Sequence, residues 1–248
     1  VKKRVLAVIP ARFASSRFRG KVLAVLAGRP VVQHVYERAS SCEAVDRVVV
    51  ATDDRRVEEA VLGFGGEAIM TSGSHRCGTE RAAEVASRFD WPVILNVQGD
   101  EPLISPESLS ACVEGLARDE ALDACTLATP VRDEGGAASP HVVKVVSDVS
   151  GRALYFSRSP IPFAHGDGGA TMYKHIGVYC YRRDYLLRLV LLEPGPLETA
   201  EGLEQLRVLE HGGIMGVAVT PHDTVGVDLP EDLAKAERAL ASAGSSHG

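Results

Sequence analysis

The sequence predicts an α/β fold in which a mostly parallel sheet is flanked by helices and carries an antiparallel insertion. Three observations lead there. Short apolar runs take turns with stretches whose apolar residues recur at helical spacing. Several of those runs are too uniformly apolar to have a wet face, as in a parallel sheet covered on both sides. After about residue 125 the rhythm changes, and two strand-like runs flank a short turn. The 248 residues, 45% hydrophobic and 24% charged, suffice for one large α/β domain or a domain with a substantial insertion.

Taken in order, Val5 to Pro10 is a buried strand, and Val31 to Ala39 spaces its apolar residues as a helix. Arg47 to Thr52 is a strand, Arg55 to Phe64 a helix closed by Gly65-Gly66, and Glu67 to Thr71 a strand. Thr79 to Phe89 is a helix, Val93 to Val97 a strand and Pro106 to Arg118 a helix. Val142 to Asp148, the turn Val149-Ser150-Gly151 and Ala153 to Ser157 form an antiparallel hairpin. Gly166-Asp167-Gly168-Gly169 reads as a mobile loop. Helices are expected at Asp184 to Leu192, Ala200 to His211 and Pro230 to Leu240, the last with proline in its first turn, followed by a frayed Ser/Gly/His tail. Residues 1–124 and 184–248 thus form the α/β domain and 125–183 the insertion.

Composition narrows the function. A net charge of −6 disfavours nucleic-acid binding through a basic face, but leaves room for a local cationic pocket holding a small anion. No apolar stretch approaches the ~20 residues that span a bilayer. Val1-Lys2-Lys3-Arg4 precedes apolar residues, yet Arg12 follows too soon for a signal peptide. Five scattered cysteines, with no CxxC pair, argue against a disulfide framework and a structural zinc site and fit a reducing cytoplasm.

The cationic pocket has a candidate. Residues 12 to 21 hold Arg12, Arg17, Arg19 and Lys21 and no acid, directly after the first strand. Backbone N–H groups and cations hold phosphates at such a place, although the run is neither GxxxxGK[ST] nor GxGxxG and would equally suit a solvated basic loop. Asn96-Val97-Gln98-Gly99-Asp100-Glu101-Pro102 ends another buried strand, and its oxygens suit Mg²⁺ unless Asp100 merely shapes a turn or caps a helix. Val225-Gly226-Val227-Asp228 reads as a further strand-to-helix junction, where Asp228 could complete the metal site, although capping is the commoner role. Ser74 to Arg81 opens a helix at which Gly78 would let a ligand approach the backbone, with Ser74 or Thr79 as N-cap. Lys174-His175, Glu204-Gln205 and Arg207 carry no specific meaning by themselves.

Together these blocks resemble the 3-deoxy-D-manno-octulosonate (Kdo) cytidylyltransferase family. The carriers are Ile9-Pro10-Ala11-Arg12-Phe13-Ala14-Ser15-Ser16-Arg17 with Gly20-Lys21, Ala51-Thr52-Asp53, Gly78-Thr79-Glu80-Arg81, Asn96 to Pro102, Tyr155-Phe156-Ser157-Arg158, His175 to Tyr179, Leu203 to Arg207 and Val227-Asp228. The resemblance implies a nucleotide-diphospho-sugar transferase-like fold and transfer of CMP from CTP to an acidic eight-carbon sugar, with release of pyrophosphate, for lipopolysaccharide biosynthesis. It assigns the nucleotide to Ala11, Arg12, Arg17, Lys21, Gly78 and Thr79, and Mg²⁺ to Asp100 and Asp228. Lys21, Arg12, Asp100 and Asp228 become the catalytic set. Arg81, Gln98, Arg158, His175, Glu204 and Gln205 would surround the sugar. A cytoplasmic homodimer is implied, with contacts through the insertion, and neither nucleic acid nor membrane as partner.

Four positions, in three departures, differ from the family pattern. Arg19 and Val22 replace prolines, implying a less rigid loop; Cys77 replaces a hydroxyl residue; Cys180 replaces a glycine, a packing change. Sister enzymes acting on 8-amino-Kdo or sialate share the loop and metal chemistry, and a non-catalytic nucleotide sensor would keep the fold. A dehydrogenase lacks its glycine fingerprint here.

Overall fold

The computed structural model describes residues 4–15, 17–132, 134–163, 165 and 171–244. The expected mobile loop at 166–169, the basic N-terminal start at 1–3, Ser16 and the tail from 245 lie outside them. The described chain forms two compact units, 1–110 with 223–248, and 111–222.

The first unit is built on parallel strands. β1 (Val5–Pro10) is buried along its whole length and is followed by a 3₁₀ turn (Lys21–Leu23) and a two-residue hairpin, β2 (Val25–Leu26) with β3 (Arg29–Pro30). α1 (Val31–Ser40) buries Val31, Val32, Val35 and Ala39, the face that its periodicity marks. β4 (Arg47–Thr52) leads to α2 (Arg55–Gly63), whose N-cap Asp54 accepts the N–H of Arg56 at 3.0 Å. β5 (Ala68–Met70), α3 (Gly78–Arg88), β6 (Val93–Val97) and α4 (Pro106–Arg118) follow. The strand order is β6-β1-β4-β5, all parallel. The chain winds outward from β1 through β4 to β5, then crosses to β6 on the other flank. The strand order therefore reverses between β1 and β6, and ligands in open α/β sheets bind beyond the strand ends at such a point.

The second unit is mainly antiparallel. It comprises β7 (Ala124–Pro130), α5 (Glu134–Ala138), β8 (Lys144–Ser147), β9 (Ala153–Ser157), β10 (Tyr173–Arg182), α6 (Arg183–Leu189), α7 (Pro196–Glu201), α8 (Leu206–Glu210) and β11 (Met215–Val219). β7, β8 and β9 link antiparallel through β10, and β11 runs parallel to β7. The β8–β9 turn is held by Asp148, whose carboxylate accepts the N–H groups of Ser150 and Arg152, with Gly151 at φ +79°. α9 (Pro230–Gly244) returns the chain to the first unit.

Two expectations are corrected. The helix expected over 200–211 is two short helices, because Gly202 takes the left-handed conformation, φ +63°, and its N–H closes α7 on the carbonyl of Glu198. No strand forms at 225–228, where the backbone instead bonds to the β6–α4 loop. Residues 125–183, read as an insertion, lie within the compact second unit, 111–222, in which β11 pairs with β7. β7 and β11 themselves went unread, being rich in small residues with no clear alternation.

Candidate active site

At the switch point the first unit opens into a basin of about 400 Å³, lined by Pro10, Arg12, Arg17, Lys21, Gly78, Gln98 and Asp100 among others. β1 delivers the basic loop and β6 delivers Gln98 and Asp100. The two strand ends press together: a Cβ at Gly99 would lie 2.7 Å from the carbonyl oxygen of Pro10, so only glycine lets these backbones meet.

Contacts at Phe13 and Gly20 hold the described part of the loop, where the family's prolines are missing. Gly20, at φ +74°, donates its N–H to the carbonyl of Phe13 at 2.8 Å, and a Cβ there would meet the Phe13 ring at 2.9 Å. Arg56 stacks over the other part of this arrangement, 3.5 Å from the Phe13 ring centroid. Val22, standing where the family has proline, is buried in the 3₁₀ turn. The loop ends by delivering Lys21 to the basin.

Lys21 is where the two aspartates meet. Its Nζ donates to the carboxylate of Asp100 through a short hydrogen bond and to Oδ1 of Asp228 at 2.8 Å, while Arg17 reaches Oδ2 of Asp228 at 3.2 Å. Burial alone would lower the Lys21 ammonium pKa, but the facing carboxylates of Asp100 and Asp228 reverse this and leave it above its ordinary 10.5. A backbone bond sets the approach, since the N–H of Val227 donates to the carbonyl of Asp100 at 2.8 Å. Val227 is anchored with Leu26, Val31 and Ala236 in an apolar cluster against which Phe18 and Leu103 also pack, each fully buried aliphatic side chain contributing roughly 1.5–3 kcal/mol. Thr224 and Glu101 add a 2.8 Å hydrogen bond between the same two segments. The sequence pointed to Glu101 only as a strand-tip carboxylate and not at all to Thr224, and their residue types give no signal of this pairing.

The bland alternatives for the two aspartates resolve here. The N–H groups of Asp228 and Leu229 are accepted by Asp232, one turn on, so the Asp228 carboxylate is not used as a cap. The start of α4 is capped by Ser105, which accepts the N–H of Ser108 at 3.0 Å, so Asp100 is not its cap either. Cys77, rather than Ser74 or Thr79, occupies the N-cap position of α3 without a side-chain cap hydrogen bond, and Glu80 reaches back to accept the N–H of Arg76 at 2.8 Å. Two carboxylates that already share one ammonium form a donor set of the kind that takes Mg²⁺, which commonly keeps one or two protein carboxylates and fills its shell with phosphate and water. Among the described residues no cluster of three His, Cys, Asp or Glu side chains could hold a metal, so the pair would need ligands from the substrate.

The other expected site residues divide between the basin and the scaffold. Arg12 donates to the carbonyl of Arg76 at 3.0 Å, tying the basic loop to the segment before α3. Gly78 faces Gln98, whose Oε1 would lie 3.1 Å from a Cβ at that position. Arg81, expected at the sugar, does not line the basin: its side chain is fully buried, bonded to Thr71 and 3.1 Å from Asp53. Sequence spacing could not reveal that the side chain turns inward.

In the second unit, His175 and Gln205 are buried and Glu204 is exposed. Thr126 bonds His175 at 2.9 Å, and Tyr179 donates to Gln205 at 3.2 Å. Burial pushes the His175 pKa down to about 3. Arg158 is spent on the scaffold, its guanidinium donating to the carbonyls of Pro140, Glu201 and Gly202. Glu201, another residue sequence reading missed, accepts from Ser157 at 2.7 Å and from the backbone N–H of Arg158 at 2.9 Å. All five cysteines are free, Cys180 lying opposite Cys125 in the β7–β10 pairing. Among the described residues no helix is long and apolar enough to cross a membrane.

Comparison with known proteins converges. Residues 6–219 match the cytidylyltransferase family. A 3-deoxy-manno-octulosonate cytidylyltransferase of Geobacter sulfurreducens is 50% identical over 242 residues, 93% of this chain and 97% of that one. Its counterpart in Acaryochloris marina is 47% identical, covering 94% of this chain and 96% of that one. A solved CMP:2-keto-3-deoxy-manno-octonic acid synthetase complexed with CTP superposes with a TM-score of 0.92 at 43% identity, over 97% of this chain and 100% of the other. A 4-diphosphocytidyl-2C-methyl-D-erythritol synthase from Anaerococcus prevotii, at 16% identity and a TM-score of 0.64 over 97% of each chain, shares the fold.

Proposed function

Because the chain belongs to the cytidylyltransferase family, with relatives at about half identity that are Kdo cytidylyltransferases, we propose that it transfers CMP from CTP to the anomeric hydroxyl of Kdo and releases pyrophosphate. The observation that carries this reading is the meeting of Asp100 and Asp228 on Lys21 at the mouth of the β1–β6 basin.

Both reactants are anions, so their encounter requires concentrated positive charge. Arg12, Arg17 and Lys21 supply it from one loop and would hold the triphosphate, with Ala11, Gly78 and Thr79 beside the nucleotide. Asp100 and Asp228 would hold Mg²⁺, which when bound neutralises phosphate charge and polarises the reacting groups. The chain's own part is positioning: it fixes the α-phosphate for in-line attack by the sugar hydroxyl and requires no covalent enzyme intermediate. Gln98, at the basin wall, and His175, Glu204 and Gln205, in the second unit, are the sugar-facing candidates.

We read the protein as a cytoplasmic homodimer. Support for the dimer is the exposure of Leu154 and Val219, apolar side chains on β9 and β11. Light scattering on the purified chain tests that reading.

The function is tested by incubating the protein with each of the four nucleoside triphosphates, Mg²⁺ and Kdo, 8-amino-Kdo or sialate, and assaying pyrophosphate. Release is expected with CTP and Kdo. Release confined to 8-amino-Kdo or sialate would reassign the sugar, and no release with any pair would overturn the enzymatic reading.

A further inference from the structure

Strand β10 loses register against β7 between Ile176 and Tyr179, and the side chain of Thr126 fills the irregularity. Its hydroxyl lies 2.7 Å from the carbonyl oxygen of Val178 and 2.9 Å from Nε2 of His175. A threonine hydroxyl has one proton to give, and a carbonyl can only accept. At 2.7 Å that proton goes to Val178. The contact with His175 is then a hydrogen bond only if Nε2 carries hydrogen and donates into the lone pair of Thr126 Oγ1. Burial keeps the ring neutral at working pH, so Nδ1 is left as a bare acceptor.

A parallel assignment holds at Gln205. Its Oε1 accepts from the Tyr179 hydroxyl at 3.2 Å, and its Nε2 is buried with no hydrogen-bond partner. Tyr179 also packs against His175, their ring centroids 5.6 Å apart. One acceptor and one donor are thereby offered by residues that both neighbour Tyr179, an arrangement suited to a polyhydroxylated anion.

We propose that Thr126 is a positioning residue that locks His175 in its Nε2–H tautomer, so that Nδ1 accepts a hydrogen bond from a hydroxyl of the acidic sugar while the Gln205 amide donates to one of its oxygens. This rests on the Kdo reading above. Thr126→Val removes the hydroxyl but keeps the branched shape, and Thr126→Ser keeps the hydroxyl.

The test reads the His175 tautomer by ¹⁵N NMR of the whole enzyme, together with separate KM values for Kdo and CTP. Wild type and Thr126→Ser are expected to show the Nε2–H tautomer, and Thr126→Val to lose it. The Kdo KM should rise about tenfold in Thr126→Val, the scale of one lost hydrogen bond, with the CTP KM unchanged and Thr126→Ser near wild type. Kdo added to the wild type should move the Nδ1 resonance.

An Nδ1–H tautomer in the wild type would overturn the proposal, as would a Kdo KM in Thr126→Val that is unchanged or rises in step with that for CTP. Should Thr126→Val not fold, the wild-type tautomer and its response to Kdo decide. A wild-type enzyme inactive with Kdo would refute the sugar assignment above, and the tautomer measurement would still decide the role of Thr126.

Discussion

Lys21 in the first unit and Lys144 in the second are both withdrawn from solvent, and they are satisfied by different kinds of acceptor. Lys21 sits on two carboxylates, Asp100 and Asp228, which keep 25% and 47% of their side-chain exposure. Lys144 is fully buried and donates to three backbone carbonyls, those of Ser139, Val142 and Arg158, at 2.8, 2.6 and 2.5 Å. Burial lowers the Lys144 pKa, only partly offset by Glu201. Carboxylates open to water can exchange one cation for another at small cost, whereas part-buried carbonyls lose a donor that water replaces less readily. On the function proposed above the first arrangement would bind phosphate and metal, and the second holds a loop together. Arg158, on its own three carbonyls, and Arg81, buried on Asp53, belong with Lys144.

The largest expected effect falls on the exchangeable side. Asp100→Asn should reduce pyrophosphate release by about a thousandfold, the upper scale for losing one electrostatic stabiliser at a reacting centre, with an unchanged circular dichroism spectrum. Wild-type turnover in that variant would remove Asp100 from the chemistry.

The two lysines should then separate in opposite senses. Lys144→Met removes one donor from three part-buried carbonyls and is expected to lower unfolding stability by about 2 kcal/mol in urea titrations. Lys21→Met should stay within about 1 kcal/mol of wild type in stability while losing synthesis, because its carboxylate partners remain hydrated. Equal stability losses would erase the distinction.

Arg81→Ala tests whether its burial defines its role. With Asp53 left without its buried partner, stability should fall by about 3 kcal/mol and the KM values for CTP and Kdo should rise together. A rise confined to Kdo would return Arg81 to the sugar.

The smallest effect concerns acid. His175 is held neutral in the fold, its pKa near 3, below its ordinary 6.5. The unfolded chain therefore binds a proton first as pH falls, and the contribution of His175 to stability is lost progressively from 6.5 towards 3. Between pH 7 and pH 5 this amounts to about 2 kcal/mol. His175→Gln should lack that share of the acid loss. Parallel pH profiles for the two proteins would show that His175 is not buried neutral.

Much of the first unit was legible because its strands are continuous apolar runs and its helices repeat at the right period, as at Val5–Pro10 and Val31–Ser40. The second unit was harder. β7 and β11 use Ala, Cys, Thr and Gly at buried positions, and their placement depends on partners far along the chain. The family resemblance named Asp100, Asp228 and Lys21 as a set, but without it position and charge left capping and metal binding open.

By itself the sequence determined the alternation of strand and helix and the isolation of four cations between residues 12 and 21, because periodicity and charge are local properties of a chain. Only the tertiary structure decided which carboxylates those cations face. Asp228 reaches Asp100 because Val227 is both hydrogen-bonded to the Asp100 carbonyl and buried in an apolar cluster. It likewise decided that Arg81 and Arg158 turn to the scaffold. The direction of a side chain is set by the surfaces packed around it, and those come from segments distant in sequence.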